Sequence, residues 1–228
     1  MNWPIFPCGD SAVTIQVGNS ISEAVNREVV AVVQALQAKQ LPGVSEIVPS
    51  YCAVCVHYDP MVLSYEQLTD ALQKLDVTTY HKQMDTQRIV EIPVCYGGMF
   101  GPDLSFVAQH NGLTEEEVVK RHSNGLYLVY MLGFLPGFAY MGGMDESIAC
   151  PRLTSPRTKI PAGSVGIAGA QTGVYPLDSP GGWQLIGRTP LKMFAIHGEQ
   201  ANFTLSAGDR VRFVPISEER YRELEGAV

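Results

Sequence analysis

Positive charge is scarce in this sequence: 16 Lys and Arg stand against 23 Asp and Glu, for a net charge of −7. A nucleic-acid surface needs a basic face, so that class of partner is excluded. Long apolar runs are missing as well. None reaches the roughly 18 residues that a membrane helix requires. The opening "MNWPIFPCGD" has neither the basic nor the apolar segment of a secretory signal. A cytoplasmic protein without membrane contact is therefore expected. The five cysteines are odd in number and scattered, which suits a reducing compartment better than a disulfide framework. Cys52 and Cys55 form a C-x-x-C, but they sit in a β-prone run where residues three apart face opposite ways, and no second Cys/His pair stands at finger spacing. No metal site is expected. Also absent are a Walker loop with its lysine, a Rossmann glycine fingerprint, G-x-S-x-G and H-E-x-x-H, so catalysis of a familiar single-chain type has little support.

What is present falls into two parts. The first alternates cleanly. "SAVTIQV" (11–17) has β character, and 22–39 repeats Val25, Val29, Val32, Val33 and Leu36 at helical steps. Strands are predicted over 44–48 and 51–59, a second helix over 64–75 with Ser64 and Gln67 as capping box, and a fourth strand over 88–96. This order, βαββαβ, predicts a ferredoxin-like α+β domain over residues 1–96. The second part, 97–228, opens with two short helices (102–112 and 113–125) and a strand (126–134). Between 131 and 190 lie eleven of the 22 glycines and seven of the 15 prolines, with short β-prone pieces among them. That spacing predicts a closed barrel or a sandwich. A strand over 209–216 and a polar surface helix over 217–225 follow. No long linker separates the parts, so the two domains are expected to pack together.

The chemistry-bearing residues concentrate in the glycine-rich stretch. Pro136, Gly137 and Phe138 lie in "GFLPGFAYMGGM", where Phe134, Phe138 and Tyr140 suit an apolar slot. Arg152, Arg157 and Lys159 lie close together on a proline-stiffened segment, an arrangement that suits carboxylate or phosphate binding. Gln171 and Tyr175 add hydrogen-bonding groups. "SPGGWQLIGRTP" then supplies Gly181, Gly182, Trp183 and Arg188. Together these form a candidate anion-plus-amide pocket. His122, beside Lys120 and Arg121 near a helix end, reads as a surface histidine.

These same stretches, "YMLGFLPGFAYMGGMD", "PRLTSPRTKIPAGSVGIAG", "QTGVYPLDSPGGWQLIGRTP" and "LSAGDRVRF", resemble the bacterial KipI (PxpB) family, the B component of 5-oxoprolinase, formerly assigned to allophanate hydrolase. "CGDSAVTIQVG" extends the resemblance over nearly the whole chain. The resemblance implies a small α/β domain packed on a cyclophilin-like β-barrel. It implies a direct partner, the KipA-like PxpC, and a third component, the LamB/YcsF-like PxpA. The implied reaction opens the lactam of 5-oxo-L-proline to L-glutamate with ATP, the nucleotide (with any Mg) being bound by the complex, and neither metal nor biotin is expected on this chain. Arg152, Arg157, Lys159 and Arg188 then become candidates for substrate carboxylate or phosphate, Gln171 for the lactam amide, and Tyr175 or Trp183 for stacking on the ring. One departure stands out: the family's "LFD" run carries an Asp where this chain has Ala195. The resemblance also admits two other roles, a KipI-type inhibitor of a sporulation histidine kinase and half of a biotin-dependent urea or amide carboxyltransferase.

Overall fold

A computed structural model of the protein describes residues 3–81, 88–198 and 200–226. The chain divides into two compact units, Met1–Gln87 and Arg88–Val228.

The first unit contains β1 (Ile5–Pro7), β2 (Ala12–Gln16), α1 (Glu23–Lys39), β3 (Val44–Pro49), β4 (Ala53–Tyr58), α2 (Tyr65–Gln73) and α3 (Thr78–His81). Its four strands form one antiparallel sheet in the order β1-β2-β4-β3. Period-two alternation places Val13, Ile15, Val54 and Val56 on one sheet face, where they meet Val29, Val32 and Leu36 of α1 and Leu68 and Leu72 of α2. Each such side chain, fully buried, contributes about 1.5–3 kcal/mol. Helix α1 starts where the Ser22 hydroxyl accepts the Val25 N–H at 3.3 Å, and stops at Gln40, whose φ is 44°. Helix α2 carries the expected capping box between Ser64 and Gln67.

The ferredoxin-like βαββαβ arrangement is not formed as expected. Strands β2, β4 and β3 and their helices are present, but the fourth strand of the pattern lies elsewhere. The edge beside β2 is taken by the three-residue β1, and the run expected at 88–96 becomes β5 (Ile89–Tyr96) of the second unit. The reason is packing: Ile92, Val94 and Cys95 are buried among residues of the second unit. The units therefore divide after Gln87, ahead of the boundary read from the sequence at 96/97.

In the second unit α4 (Leu104–Asn111) and α5 (Glu115–Asn124) follow β5, with the Thr114–Glu117 capping box at the start of α5. The remaining strands are β6 (Tyr127–Leu132), β7 (Ala139–Gly142), β8 (Arg157–Ile160), β9 (Ser164–Ala168), β10 (Gln171–Val174), β11 (Ser179–Gly181), β12 (Gln184–Arg188), β13 (Phe194–His197), β14 (Gln200–Phe203) and β15 (Arg210–Pro215), with α6 (Glu218–Glu225) after them. Seven strands close a barrel in the order β10-β7-β6-β15-β5-β12-β9. One of its pairings is parallel, β5 with β15, running from Arg210 opposite Ile89 to Pro215 opposite Val94. Two short ribbons stand outside the barrel, β8 with β11 and β13 with β14. Ala195, where the family pattern has an Asp, lies in the second ribbon opposite Asn202.

Candidate functional site

Strand β11 and the 133–138 turn border a cavity of about 390 Å³ in the second unit. Its lining includes Phe134, Phe138, Tyr140, Tyr175 and Trp183, with Arg152, Pro156, Ser179, Gly181 and Gly182 completing the wall. The aromatic rings pack edge to face around Phe138: Tyr140 at 4.9 Å, Tyr175 at 5.2 Å, Trp183 at 5.4 Å and Phe134 at 5.6 Å between centroids. Phe138, Tyr175 and Trp183 are buried, so their positions are set by packing before any ligand arrives. Gly181 is required here, because a Cβ on it would stand 2.5 Å from the Tyr175 hydroxyl and 2.7 Å from Ile160 Cδ1. Burial, the largest influence, raises the Tyr175 phenol pKa, keeping the ring neutral.

Polar groups on this wall are few. The Arg152 guanidinium lies 5.9 Å from the Trp183 ring centroid, a cation–π contact that leaves its hydrogen-bonding edge to other partners. It is the one cationic side chain among the described residues lining the cavity. Ser179 also lines it, buried in the wall. Phe134 holds φ 68°, a left-handed backbone that a bulky residue rarely adopts, while its side chain is largely exposed at the mouth.

The structure separates the residues that the sequence grouped. Arg152, Tyr175, Trp183, Phe138, Gly181 and Gly182 border the cavity. Pro136 and Gly137 border a second groove beside it with Phe203. Arg157 points to Asp103, with Nη2 2.6 Å from Oδ1, and its Nη1 approaches the Trp183 carbonyl at 3.5 Å. The other Asp103 oxygen accepts the Leu185 N–H at 2.7 Å. Arg157 and Asp103 thus tie the start of α4 to the strand that follows Trp183. Lys159 pairs with Asp178 at 3.0 Å on the surface. Arg188 Nε donates to the Ala162 carbonyl at 2.8 Å. Gln171 stands in β10 opposite Ala168, outside the cavity lining.

Sequence reasoning placed His122 at the surface, and the structure corrects it. His122 is 0% exposed, in the barrel core one helical turn after Val118. Thr172 Oγ1 donates its single hydrogen to the Gly166 carbonyl at 3.0 Å, so at its 2.9 Å contact with His122 it accepts from Nε2–H. Nδ1 is then the acceptor for the Tyr96 hydroxyl at 2.7 Å. Burial lowers the imidazole pKa to about 3, so the ring is neutral and both nitrogens are used inside the fold. The signal was in the sequence: Val118 and His122 are four apart and share the inward helix face.

With this geometry in hand, the class of protein can be stated. The chain belongs to the family of the carboxyltransferase domain, subdomains C and D, whose model matches residues 3–204. Within that class it belongs to the KipI-like (PxpB) family, the B component of 5-oxoprolinase. It is 48% identical over 97% of its length to the 5-oxoprolinase B component of Bacillus subtilis (strain 168), covering 96% of that protein. The protein of the same name from Escherichia coli O157:H7 is 41% identical over 92% of this chain and 94% of its own. Among solved structures, TTHA0988 matches 90% of the chain at 39% identity with a TM-score of 0.80, the chain spanning 40% of that protein. Urea amidolyase of K. lactis matches 96% of the chain and 15% of its own length, with a TM-score of 0.74 at 19% identity, and shares the fold. Among the described residues no helix is long and apolar enough to cross a membrane.

Proposed function

We propose that this chain is the B component of an ATP-dependent 5-oxoprolinase and that its aromatic cavity receives the 5-oxoproline ring. The observation that carries the reading is the 48% identity over 97% of the chain to a protein of that name. The cavity supports it. A volume of about 390 Å³ bounded by edge-on aromatic rings accepts a small flat heterocycle, and Arg152 at its border offers a bidentate partner for the ring's carboxylate.

A lactam is a stable amide, and ATP is the reagent that activates it in the complex. A triphosphate calls for several cations. One guanidinium borders this cavity, while Arg157, Lys159 and Arg188 are each engaged by the protein itself. The residues here fit the lactam acid and not the nucleotide, so the ATP site is assigned to a partner protein or to an interface with one. The partners on this reading are the KipA-like PxpC, docked directly, and the LamB/YcsF-like PxpA, and the complex works in the cytoplasm. The seven-stranded barrel is read as cyclophilin-like. Deleting the gene is expected to abolish growth on 5-oxoproline as nitrogen source and to make cells accumulate it. Unchanged 5-oxoproline handling would overturn the assignment.

A further inference from the structure

Arg152 is an exposed cation on a stretch of chain outside any helix or strand. A guanidinium fork must nevertheless be held in one orientation to grip a carboxylate. What holds it lies in one three-residue segment. The peptide plane before Arg152 carries the Pro151 carbonyl, which accepts from Gln184 Nε2 at 2.9 Å. The plane after it carries the Leu153 N–H, which donates to the Gly182 carbonyl at 2.7 Å. Peptide units are planar and stiff, so these two bonds anchor both planes that meet at the Arg152 Cα. Between Gly182 and Gln184 stands Trp183, whose ring centroid lies 5.9 Å from the guanidinium carbon. Residues 182–184 therefore hold the arginine by its backbone on both sides and by its head group.

The two backbone anchors differ in kind. Any residue at 182 offers a carbonyl, whereas the bond to Pro151 depends on the Gln184 side chain. That side chain is in β12 beside Leu185 and Ile186, and the residue is 2% exposed. Burying an amide is costly unless it is hydrogen-bonded. Its bond to Pro151 is the side chain's one hydrogen bond among the described residues. The acceptor is a carbonyl, so the bonded atom is the amide nitrogen. The buried polar group is thus committed to the loop that carries Arg152 and not to the barrel around it. Gln184 does not border the cavity and acts on it only through that loop. We infer that Gln184 is a positioning residue that sets the Arg152 fork for the substrate carboxylate, an inference that rests on the reading of this cavity as the 5-oxoproline site. Its effect is confined to substrates with a carboxylate. Gln184 is therefore a determinant of selectivity for lactam acids over neutral lactams.

The test is Gln184→Met, which keeps an unbranched side chain and removes the amide, in the assembled complex turning over 5-oxoproline. KM for 5-oxoproline is expected to rise about fivefold, the worth of one ordinary hydrogen bond, with kcat changed less. Inhibition by pyrrolidinone, the same ring without the carboxylate, should be equal in parent and variant, since it offers Arg152 nothing to grip. In an Arg152→Ala background the substitution should raise KM no further, because both changes remove one interaction. Gln184→Leu should repeat this pattern. Either an unchanged KM in both variants or equal losses for the acid and the neutral lactam would overturn the assignment while the 5-oxoprolinase reading stands. So would an effect that multiplies with that of Arg152→Ala, or both variants melting well below the parent. A parent complex that does not turn over 5-oxoproline would overturn that reading and this inference with it.

Discussion

Asp103 and Arg157 stand 54 residues apart in the chain and form an ion pair of 2.6 Å in which the aspartate side chain is 11% exposed. The pair braces the helix α4 start against the segment that presents Trp183. Its removal therefore acts on the fold first. Arg157→Ala should cost about 3 kcal/mol, because Asp103 is left buried beside a single backbone N–H. Urea denaturation checks this, and Asp103→Asn in the Arg157→Ala background should recover part of the loss.

Arg152 and Lys159 should behave oppositely. Arg152→Ala is expected to raise KM for 5-oxoproline roughly tenfold or more, with Arg152→Lys recovering only part, because a point charge replaces a bidentate fork. Lys159 makes an exposed pair with Asp178, the two side chains being 72% and 53% accessible. Lys159→Ala should leave steady-state kinetics unchanged and stability within about 0.5 kcal/mol.

Acid should weaken the fold through His122. Its folded pKa is about 3 against an ordinary 6.5. Between those values the unfolded chain binds a proton that the folded chain refuses, so stability rises with pH there. The contribution is complete above pH 6.5 and is lost on acidification toward 3, with a slope of about 1.4 kcal/mol per pH unit. His122→Gln is expected to be less stable at neutral pH yet to show a shallower decline over this window. Urea titrations of both proteins from pH 7 to pH 4 measure the difference in slope.

Phe134 trades strain for a wall. A left-handed backbone costs a side-chain-bearing residue about 1–2 kcal/mol, and its ring lies 5.6 Å from Phe138 at the cavity mouth. Phe134→Gly should relieve that strain and stay within about 1 kcal/mol of the parent despite losing an aromatic ring. KM should nevertheless rise. Thermal unfolding beside steady-state kinetics separates the two effects.

Much of this was readable in the residues. The helices announced themselves through period and caps, as at Ser64 with Gln67 and Thr114 with Glu117. The aromatic wall was readable too, since Phe134, Phe138 and Tyr140 fall in one glycine-punctuated run. The affiliation of β5 was not, because an apolar alternation shows that a strand is half-buried without naming the sheet that buries it. Nor was β1, a three-residue strand beside and including proline. Charge pairing was the largest gap. Arg157 and Lys159 look alike in sequence, and only the fold brings Asp103 to one and Asp178 to the other.

The parallel pairing of β5 with β15 bears on how the protein is made. Residues that lie side by side, such as Ile89 and Arg210, leave the ribosome at opposite ends of this unit's synthesis. At about 5–20 residues per second, β5 waits several seconds or more for the strand that covers it. The first unit, by contrast, has every strand of its sheet in hand by Tyr58. Nascent chains stalled before Arg210 should thus expose the apolar edge of β5, which makes that strand the place for chaperones to bind and for aggregation to begin.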